Sequence, residues 1–467
     1  MKAAELVFVP SPGRGHIVAI IEFAKRLLQQ DERLSVSIIV IKRPYSTTVD
    51  SDTADLAASN TNIRFIYLPQ VDPPVIKTCF ENSMSVYIEM HKSHVKAGII
   101  DHVLSKSTPI AGLVIDLFCS PMIDVANELD VPSYLFFTSS AAFLGLMLYL
   151  PVRHSEIGSE FFISDPDSII PTFANPVPSR FIPSFLLDKD GYASFLSHGT
   201  QFIKTKGFII NTFAELEPHA IKYLTSAPEL PPVYTVGPVL SVEDKKKPEF
   251  EKIMQWLDNQ PSSSVVFLCF GSLGGFEKPQ LEEIATALEW SGLRFLWSVR
   301  PPPPKDFNLK PVEYTNFSDV LPAGFLDRTE NRGLVCGWAP QVEVLAHEAV
   351  GGFVSHCGWN STLESLWNGV PIAAWPVYAE QQPNAFQLVN ELKLAVELKS
   401  DYRITQAAKL VMAEEIEKSI KSLMDTENHV RKRAKEIGEK AGKALLDGGS
   451  SFISLGRFID DILITKK

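Results

Sequence analysis

His356, Asn360, Ser361 and Glu364 follow one another closely behind the short apolar run Gly351-Gly352-Phe353-Val354. That run reads as a buried strand and His356-Cys357-Gly358 as a tight turn. Asn360-Ser361-Thr362 reads as the cap of a helix carrying Leu363, Leu366 and Trp367. The first turn of a helix has N–H groups with no partner inside it, and roughly half a positive charge, so a phosphate approaching Asn360 and Ser361 would be held there. His356 can donate to a second phosphate. Glu364, three residues past Ser361 on the same helix, can accept from two neighbouring hydroxyls of a ribose. Trp338, ahead of Pro340 where another strand ends, offers a flat face to a base; Ala339 joins the set, and Gln341 supplies an amide that both donates and accepts. Glu380-Gln381 follow the apolar strand Ile372-Ala373-Ala374-Trp375 and could accept from, and donate to, sugar hydroxyls. Each residue alone has an ordinary explanation in core or solvated surface; the ordered set at fixed spacing points to a nucleotide. On an extended segment Cys357 would point away from His356, as small buried filler.

A second pair lies in the first third of the chain. Pro10-Ser11-Pro12-Gly13-Arg14-Gly15-His16 ends one apolar run and opens a helical one, and its glycines let the backbone approach a ligand closely. The spacing is not GxGxxG, so no dinucleotide is expected. Gly112-Leu113-Val114-Ile115 ends at Asp116, a charge that is costly after so apolar a run unless it is paired. Strand carboxyl ends border the ligand crevice of an open α/β sheet, which puts His16 and Asp116 at one edge. Paired, the carboxylate would hold one ring proton and stabilise the imidazolium while the other nitrogen takes a proton from a hydroxyl. On spacing alone Asp116 serves equally as a cap for the following helix. Ser272, beside Gly271, Gly274 and Gly275, could donate to a phosphate or be a plain turn serine. Asp165-Pro166-Asp167 and Asp188-Lys189-Asp190 have the spacing of carboxylates that hold a metal diphosphate. Both stand in polar loops far from the phosphate-binding stretch and read as solvated turns, so no metal is expected.

The stretch from Trp338 to Gln381 resembles the signature box of plant family-one UDP-glycosyltransferases at Trp338, Gln341, His356, Gly358, Trp359, Asn360, Ser361, Glu364, Glu380 and Gln381. The resemblance implies that Trp338 stacks on uracil and that Glu364 binds the ribose. It further implies that His356, Asn360 and Ser361 hold the diphosphate, while Trp359, Glu380 and Gln381 contact the donor sugar. Glu380 departs by one methylene from the Asp often found there, and Gln381 favours UDP-glucose over UDP-galactose as co-substrate. The resemblance extends to His16 and Asp116 as a catalytic pair and to a glycine-serine turn at Ser272. Gly207 to Glu217 is similar to a stretch of plant enzymes that glucosylate flavonoids and other phenolics.

What it implies is an inverting transfer of glucose from UDP-glucose to a hydroxyl of a small hydrophobic aromatic acceptor, without cofactor or metal. The implied fold is two facing Rossmann-like doubly wound domains of the GT-B type, with a cleft between them. Apolar and aromatic residues near predicted strand ends and loops nominate Gly15, Tyr87, Phe118, Phe137, Ser139, Phe143, Phe181, Phe185 and Tyr378 for the acceptor, although any one of them is an ordinary core residue. Two rivals are a nucleotide-sugar binding protein without turnover and a UDP-sugar epimerase of similar build. The first has no use for His16 and Asp116, and the second has none for an apolar acceptor pocket.

These groups need rigid elements to position them. Short apolar runs alternate with helical segments: Leu6 to Val9, a helix from about Ile17 to Gln29, Val36 to Ile41, Ile63 to Leu68, Ile110 to Asp116, Tyr134 to Phe137, Phe208 to Ile210 and Tyr234 to Val239. Such alternation predicts an α/β fold with a parallel sheet and right-handed crossovers. The polar run from Ser241 to Pro248 interrupts it, and the pattern restarts with Val265 to Phe270, a helix over Gln280 to Trp290, and Arg294 to Val299. The expected domains are 1–240 and 251–451, joined by a linker at 241–250. Pro301 to Asp319 reads as a surface excursion. Leu455, Phe458, Ile459, Ile462 and Leu463 fall at helical spacing with Arg457, Asp460 and Asp461 opposite. The resemblance sends this last helix, 452–467, back to the N-terminal domain; the pattern alone allows an ordinary packing helix.

At 467 residues the chain is long enough for two cores. Hydrophobic content of 45% with a formal charge of −11 describes an acidic protein, which argues against nucleic acid or an anionic membrane as partner. Cys79, Cys119, Cys269, Cys336 and Cys357 are odd in number, scattered and without CxxC spacing, pointing to a reducing compartment and no zinc. Leu6-Val7-Phe8-Val9 is too short for a signal peptide, and runs such as Val131 to Leu150 are broken by Pro132 and Gly145, so no membrane insertion is expected. A cytoplasmic monomer is the expectation.

Overall fold

The computed structural model describes residues 4–44, 51–72, 80–105, 108–240, 249–302, 313–404 and 409–464. The predicted alternation becomes two sheets, each parallel throughout. The first contains β1 (Ala4–Val9), β2 (Leu34–Val40), β3 (Arg64–Tyr67), β4 (Ile110–Asp116), β5 (Ser133–Phe137), β6 (Phe208–Ile210) and β7 (Val233–Thr235), in the order β3-β2-β1-β4-β5-β6-β7. The second contains β8 (Val265–Cys269), β9 (Arg294–Ser298), β10 (Gly333–Cys336), β11 (Val350–Ser355), β12 (Ile372–Ala374) and β13 (Ala395–Glu397), in the order β10-β9-β8-β11-β12-β13. The central strands β1, β4, β5, β8 and β11 are buried at every position, because helices cover both faces of a parallel sheet. β13 escaped the sequence reading: it has three residues, and Glu397 interrupts its apolar signal.

Strand order reverses once in each sheet, between β1 and β4 and between β8 and β11. Val9 pairs with Ile115 in the first, and Cys269 with Ser355 in the second. Chain leaving the carboxyl ends of two such neighbours diverges to opposite faces, which opens a crevice in that sheet. His16 and Asp116 follow β1 and end β4; Ser272 and His356 follow β8 and β11. Candidate chemistry thus sits at the reversal point of each sheet.

The chain divides into two compact units, one of residues 1–176, 185–241 and 443–467 and the other of 177–184 and 242–442. The units part beside the expected boundary at 240, but a short piece of the N-terminal half, 177–184, packs with the second unit, and 443–451, expected in the second domain, belongs to the first. Arg403 donates to the carbonyls of Arg180 (2.6 Å) and Ile182 and to Ser184 Oγ (3.1 Å), and the Phe181 ring lies 5.0 Å from that of Phe386. Most of the proposed linker, 241–248, lies outside the described residues, and its last two positions already belong to the helix Glu249–Asp258. Of the excursion after Pro301, 303–312 lies outside them too, while Phe317–Asp319 forms a helical turn.

The helix Ser450–Ile464 completes the first unit. Leu455, Phe458, Ile459 and Ile462 enter the same core as Phe23, Tyr134, Phe136 and Tyr234. Phe458 meets Tyr134 and Tyr234 edge-on at 5.2 and 5.3 Å. The opposite face is less plainly solvated than its pattern suggested, since Tyr234 donates its hydroxyl hydrogen to Asp461 and Arg457 donates to Val233 O at 3.1 Å. Ser451 fastens the helix start by donating to Gly237 O at 2.6 Å. Among the described residues no helix is long and apolar enough to cross a membrane.

Phe458→Ala should lower the unfolding free energy of the first unit by about 3–5 kcal/mol, the cost of an aromatic-sized cavity. Denaturant unfolding followed by circular dichroism would read this as an early transition, with the second unit unfolding later, close to its wild-type midpoint.

Candidate active site

In the first unit, His16 occupies the opening turn of the helix Arg14–Gln30, whose N-cap is Gly13 in an extended conformation. Its Nδ1 lies 2.8 Å from Asp116 Oδ2. A carboxylate only accepts, so the shared proton belongs to Nδ1. Asp116 is fully buried, whereas the His16 side chain is 29% exposed, so the imidazole edge faces outward over a hidden counter-charge. Asp116 makes no side-chain cap to the turn Leu117–Cys119, which decides the alternative left by its spacing. Its Oδ1 has no hydrogen-bond partner among the described residues, leaving His16 as its principal partner. Thr138 Oγ1, just past β5, lies 3.3 Å from the same Nδ1 and limits rotation of the ring.

The residues nominated for an acceptor separate into groups. Phe118 meets His16 edge-on at 6.0 Å and Phe195 at 5.8 Å, and Phe195 stacks on Phe185 at 4.0 Å. Gly15 is exposed at the helix start. Ser139, Tyr87, Phe137 and Phe143 are buried to within 3% and pack into the interior; Tyr87 donates its hydroxyl hydrogen to Lys42 O at 3.0 Å. Phe181 and Tyr378 belong to the second unit. Phe195 and His198 went unread, although Tyr192, Phe195, Gly199 and Phe202 mark one face of the helix Lys189–Phe202 at helical spacing. His198 is enclosed, with Ser85 Oγ 2.8 Å from Nε2 and Ser120 Oγ 2.7 Å from Nδ1, and burial lowers its pKa to about 4.

In the second unit, the helix Trp359–Trp367 starts two residues earlier than a cap at Asn360 would set it, with Gly358 as N-cap and no side-chain cap. Asn360 and Ser361 therefore stand inside the first turn. Cys357 is buried but not extended: its φ is +63°, held by its N–H donating to Ser355 Oγ (3.1 Å) and by Asn384 Nδ2 donating to its carbonyl (3.1 Å). His356 Nε2 lies against Gly271 and Gly358, where an added Cβ would come within 2.6 and 2.5 Å of it. Only glycine fits at either place. Burial, partly offset by the Cys269 main chain, lowers the His356 pKa to about 4, so near neutral pH it is an uncharged imidazole.

Gln341 Nε2 donates to Ser361 Oγ (2.8 Å) and Glu364 Oε2 (2.6 Å), so its amide ties the helix's first turn to the carboxylate. Burial raises Glu364 to about 7 in spite of that bond. Gln381 Oε1 accepts from the N–H groups of Val377 (2.8 Å) and Tyr378 (2.9 Å), which turns its NH₂ group away from the main chain. Glu380 is half-buried at the N-cap of the helix Gln381–Phe386. Trp338 is half-buried, with Ala339 buried beside it. Trp359 is 2% exposed, so its ring is a packing group and a ligand could meet only its main chain. Ser272 is exposed, and its carbonyl accepts from Arg300 Nη1 at 2.6 Å. The Tyr378 ring stands 6.4 Å from that of His356, within the second unit.

Neither pair expected to be solvated turns is only that. Asp165 accepts from the buried Arg153 at 3.0 Å, and Asp188 caps a helix by accepting from Gly191 N at 2.9 Å. Among the described residues no three His, Cys, Asp or Glu side chains gather as a metal site. Cys119, Cys269, Cys336 and Cys357 are buried free thiols; Cys79 lies outside the described residues.

Such a pair of sheets, one presenting a carboxylate-backed imidazole and the other a neutral imidazole beside a glycine-capped helix, defines a nucleotide-sugar transferase of two Rossmann-like domains. Residues 186–429 match the family described as UDP-glucoronosyl and UDP-glucosyl transferase, to which the chain belongs, and the protein is a UDP-glycosyltransferase. The UDP-glucose flavonoid 3-O-glucosyltransferase 6 of Fragaria ananassa is 48% identical over 99% of each chain. The crystal structure of Medicago truncatula UGT71G1 complexed with UDP-glucose matches with a TM-score of 0.90 at 44% identity, covering 99% of both chains. Phytolacca americana UGT2, complexed with UDP-2fluoro-glucose and pterostilbene, matches at 0.86 and 34% identity over 98% of this chain and 100% of that one.

His198 and His356 should stay neutral from pH 8 down to about 5, whereas ordinary exposed histidines titrate near 6.5. Selective carbon labelling of histidine, with signals assigned through His198→Gln and His356→Gln, would show two ring resonances that do not move over that range.

Proposed function

We propose that this enzyme transfers glucose from UDP-glucose to a hydroxyl of a small planar phenol of the flavonoid type, inverting the anomeric carbon to give a β-O-glucoside. The activity for which the Fragaria relative is named and the donor in the Medicago complex support the donor and acceptor class. The part-exposed ring of Phe118 beside His16, backed by the buried rings of Phe195 and Phe185, suits a flat apolar acceptor. The observation that carries the reading is the 2.8 Å bond between His16 and Asp116, because a protein that only binds or epimerises a nucleotide sugar has no need of a base for an incoming hydroxyl.

The second unit takes the donor. Trp338 stacks on uracil with Ala339 and Gln341 at its edge, and Glu364 accepts from the two ribose hydroxyls. Asn360, Ser361, Ser272 and the main chain at Gly358 and Trp359 receive the diphosphate at the helix start, where N–H groups lack partners within the helix. Neutral His356 donates one N–H to it, and Gly271 and Gly358 keep side chains clear of its Nε2. Gln381, with its oxygen engaged by the main chain, offers its NH₂ group to the glucose while Glu380 accepts from a sugar hydroxyl.

The first unit takes the acceptor. The hydroxyl attacks the anomeric carbon as its proton passes to His16 Nε2, and Asp116 stabilises the imidazolium that forms. The C–O bond to the diphosphate breaks as the new one forms, and UDP departs with the electron pair. A phenol ionises near pH 10, so imidazole is a sufficient base. No metal enters, because the helix start and neutral donors receive the leaving charge. We place the enzyme in the cytoplasm as a monomer, where its buried thiols stay reduced.

An acceptor screen with UDP-glucose, UDP-galactose and UDP-xylose, read by product mass and anomeric coupling, should give β-glucosides of phenols from UDP-glucose foremost. His16→Ala should keep UDP affinity and lose about 10²–10⁴-fold in kcat; full activity of this variant on an aliphatic alcohol would overturn the base assignment. Uridine carries no group that titrates between pH 6 and 8, so its affinity reports Glu364. That carboxyl, raised to about 7, is mostly protonated at pH 6 and mostly ionised at pH 8. Calorimetry should therefore show uridine affinity rising about tenfold with pH across this interval, and Glu364→Gln should abolish the slope.

A further inference from the structure

Arg300 lies two residues past β9, at the same sheet edge as the donor-side residues, and is only 6% exposed. Its Nη1 donates to the Ser272 carbonyl at 2.6 Å and, more weakly, to that of Gly271 at 3.4 Å. Its guanidinium carbon stands 5.2 Å from the centre of the Trp338 ring. One cation therefore touches both the turn that packs against His356 and the aromatic plane proposed for the base.

The electrostatic state of this cation is unusual. Among the described residues no carboxylate forms an ion pair with Arg300, and its buried Nε has no hydrogen-bond partner. Cys269, Glu313 and Tyr378 act on it only at a distance, too weakly to offset its burial. A buried charge that lacks a counter-ion is expensive, and the carbonyls it contacts solvate it only in part. An anion arriving beside it would gain a charge-assisted interaction in a medium of low dielectric.

We propose that Arg300 is a positioning residue of the donor site. It fixes the Gly271-Ser272 turn and one face of Trp338, and its uncompensated charge is completed by the diphosphate of the nucleotide sugar. This rests on the reading of the second unit as the donor site. Arg300 acts on the reaction through those groups and through the field it places under the leaving UDP; it takes no proton. Uridine has the base and ribose but no phosphate, so it separates support of the ring from attraction of the anion.

The test is calorimetry of UDP and of uridine on the full chain, with wild type, Arg300→Met, Arg300→Gln and Arg300→Lys. Gln is neutral but still able to donate to the Ser272 carbonyl. Both neutral variants should weaken UDP by at least about tenfold, the size of one charge-assisted hydrogen bond, and uridine by much less. Lys should restore most of the UDP affinity, and raised salt should weaken wild-type binding of UDP more than that of either neutral variant. Unchanged UDP affinity in a folded neutral variant would overturn the proposal, as would equal losses of UDP and uridine. Wild type failing to bind UDP would instead overturn the donor reading itself.

Discussion

A parallel sheet must be covered on both faces, and everything functional here depends on that constraint. Crossover helices hide the two faces, so the strands can be apolar throughout, and the edge where the strands end is left for chemistry. Polar residues stand at that edge: Asp116 is the last residue of β4, paired with Phe136, and His356 comes directly after β11. Had either been a residue or two earlier, a charge or an imidazole would have fallen within a fully apolar layer. The point of reversal adds room, since chain leaving β1 and β4, or β8 and β11, turns to opposite faces.

The two edges are tuned differently. In the first unit a buried carboxylate stands behind a partly exposed imidazole, an arrangement that favours taking up a proton. In the second, burial leaves His356 uncharged and raises Glu364, while the cation that remains, Arg300, has no carboxylate ion-pair partner among the described residues. A site so poor in compensated charge is suited to a ligand that brings two phosphates. In the reading proposed above, neutral donors, a helix start and one buried guanidinium would hold such a ligand, whereas Asp165, whose spacing from Asp167 suits a metal diphosphate, accepts from Arg153 instead.

Much of this was legible in the sequence because it is local. Strand, glycine turn and helix around His356 lie within a few residues, and the buried runs of a parallel sheet are continuous enough to be seen directly. The His16–Asp116 pair was reachable because both residues stand at strand ends, although only the fold could choose between pairing and capping. Long-range packing was not legible. Tyr87, Phe137 and Phe143 look like any pocket-lining aromatic until the interior closes on them, and Phe181 is drawn to the second unit by Arg403 and Phe386, more than two hundred residues further along. The cap at Gly358 was missed because a polar side chain is the usual signal for a helix start, and here a glycine is required by the neighbouring imidazole ring.

The helix Ser450–Ile464 supplies Leu455, Phe458, Ile459 and Ile462 to a core whose other members include residues of β1 and β2. On a ribosome, the nascent first unit therefore waits with an apolar groove uncovered while some two hundred further residues emerge. The second unit, whose sequence precedes residue 443, can complete its own sheet during that interval. Order of synthesis and order of completion are thus reversed: the part of the molecule begun first is the last to be sealed.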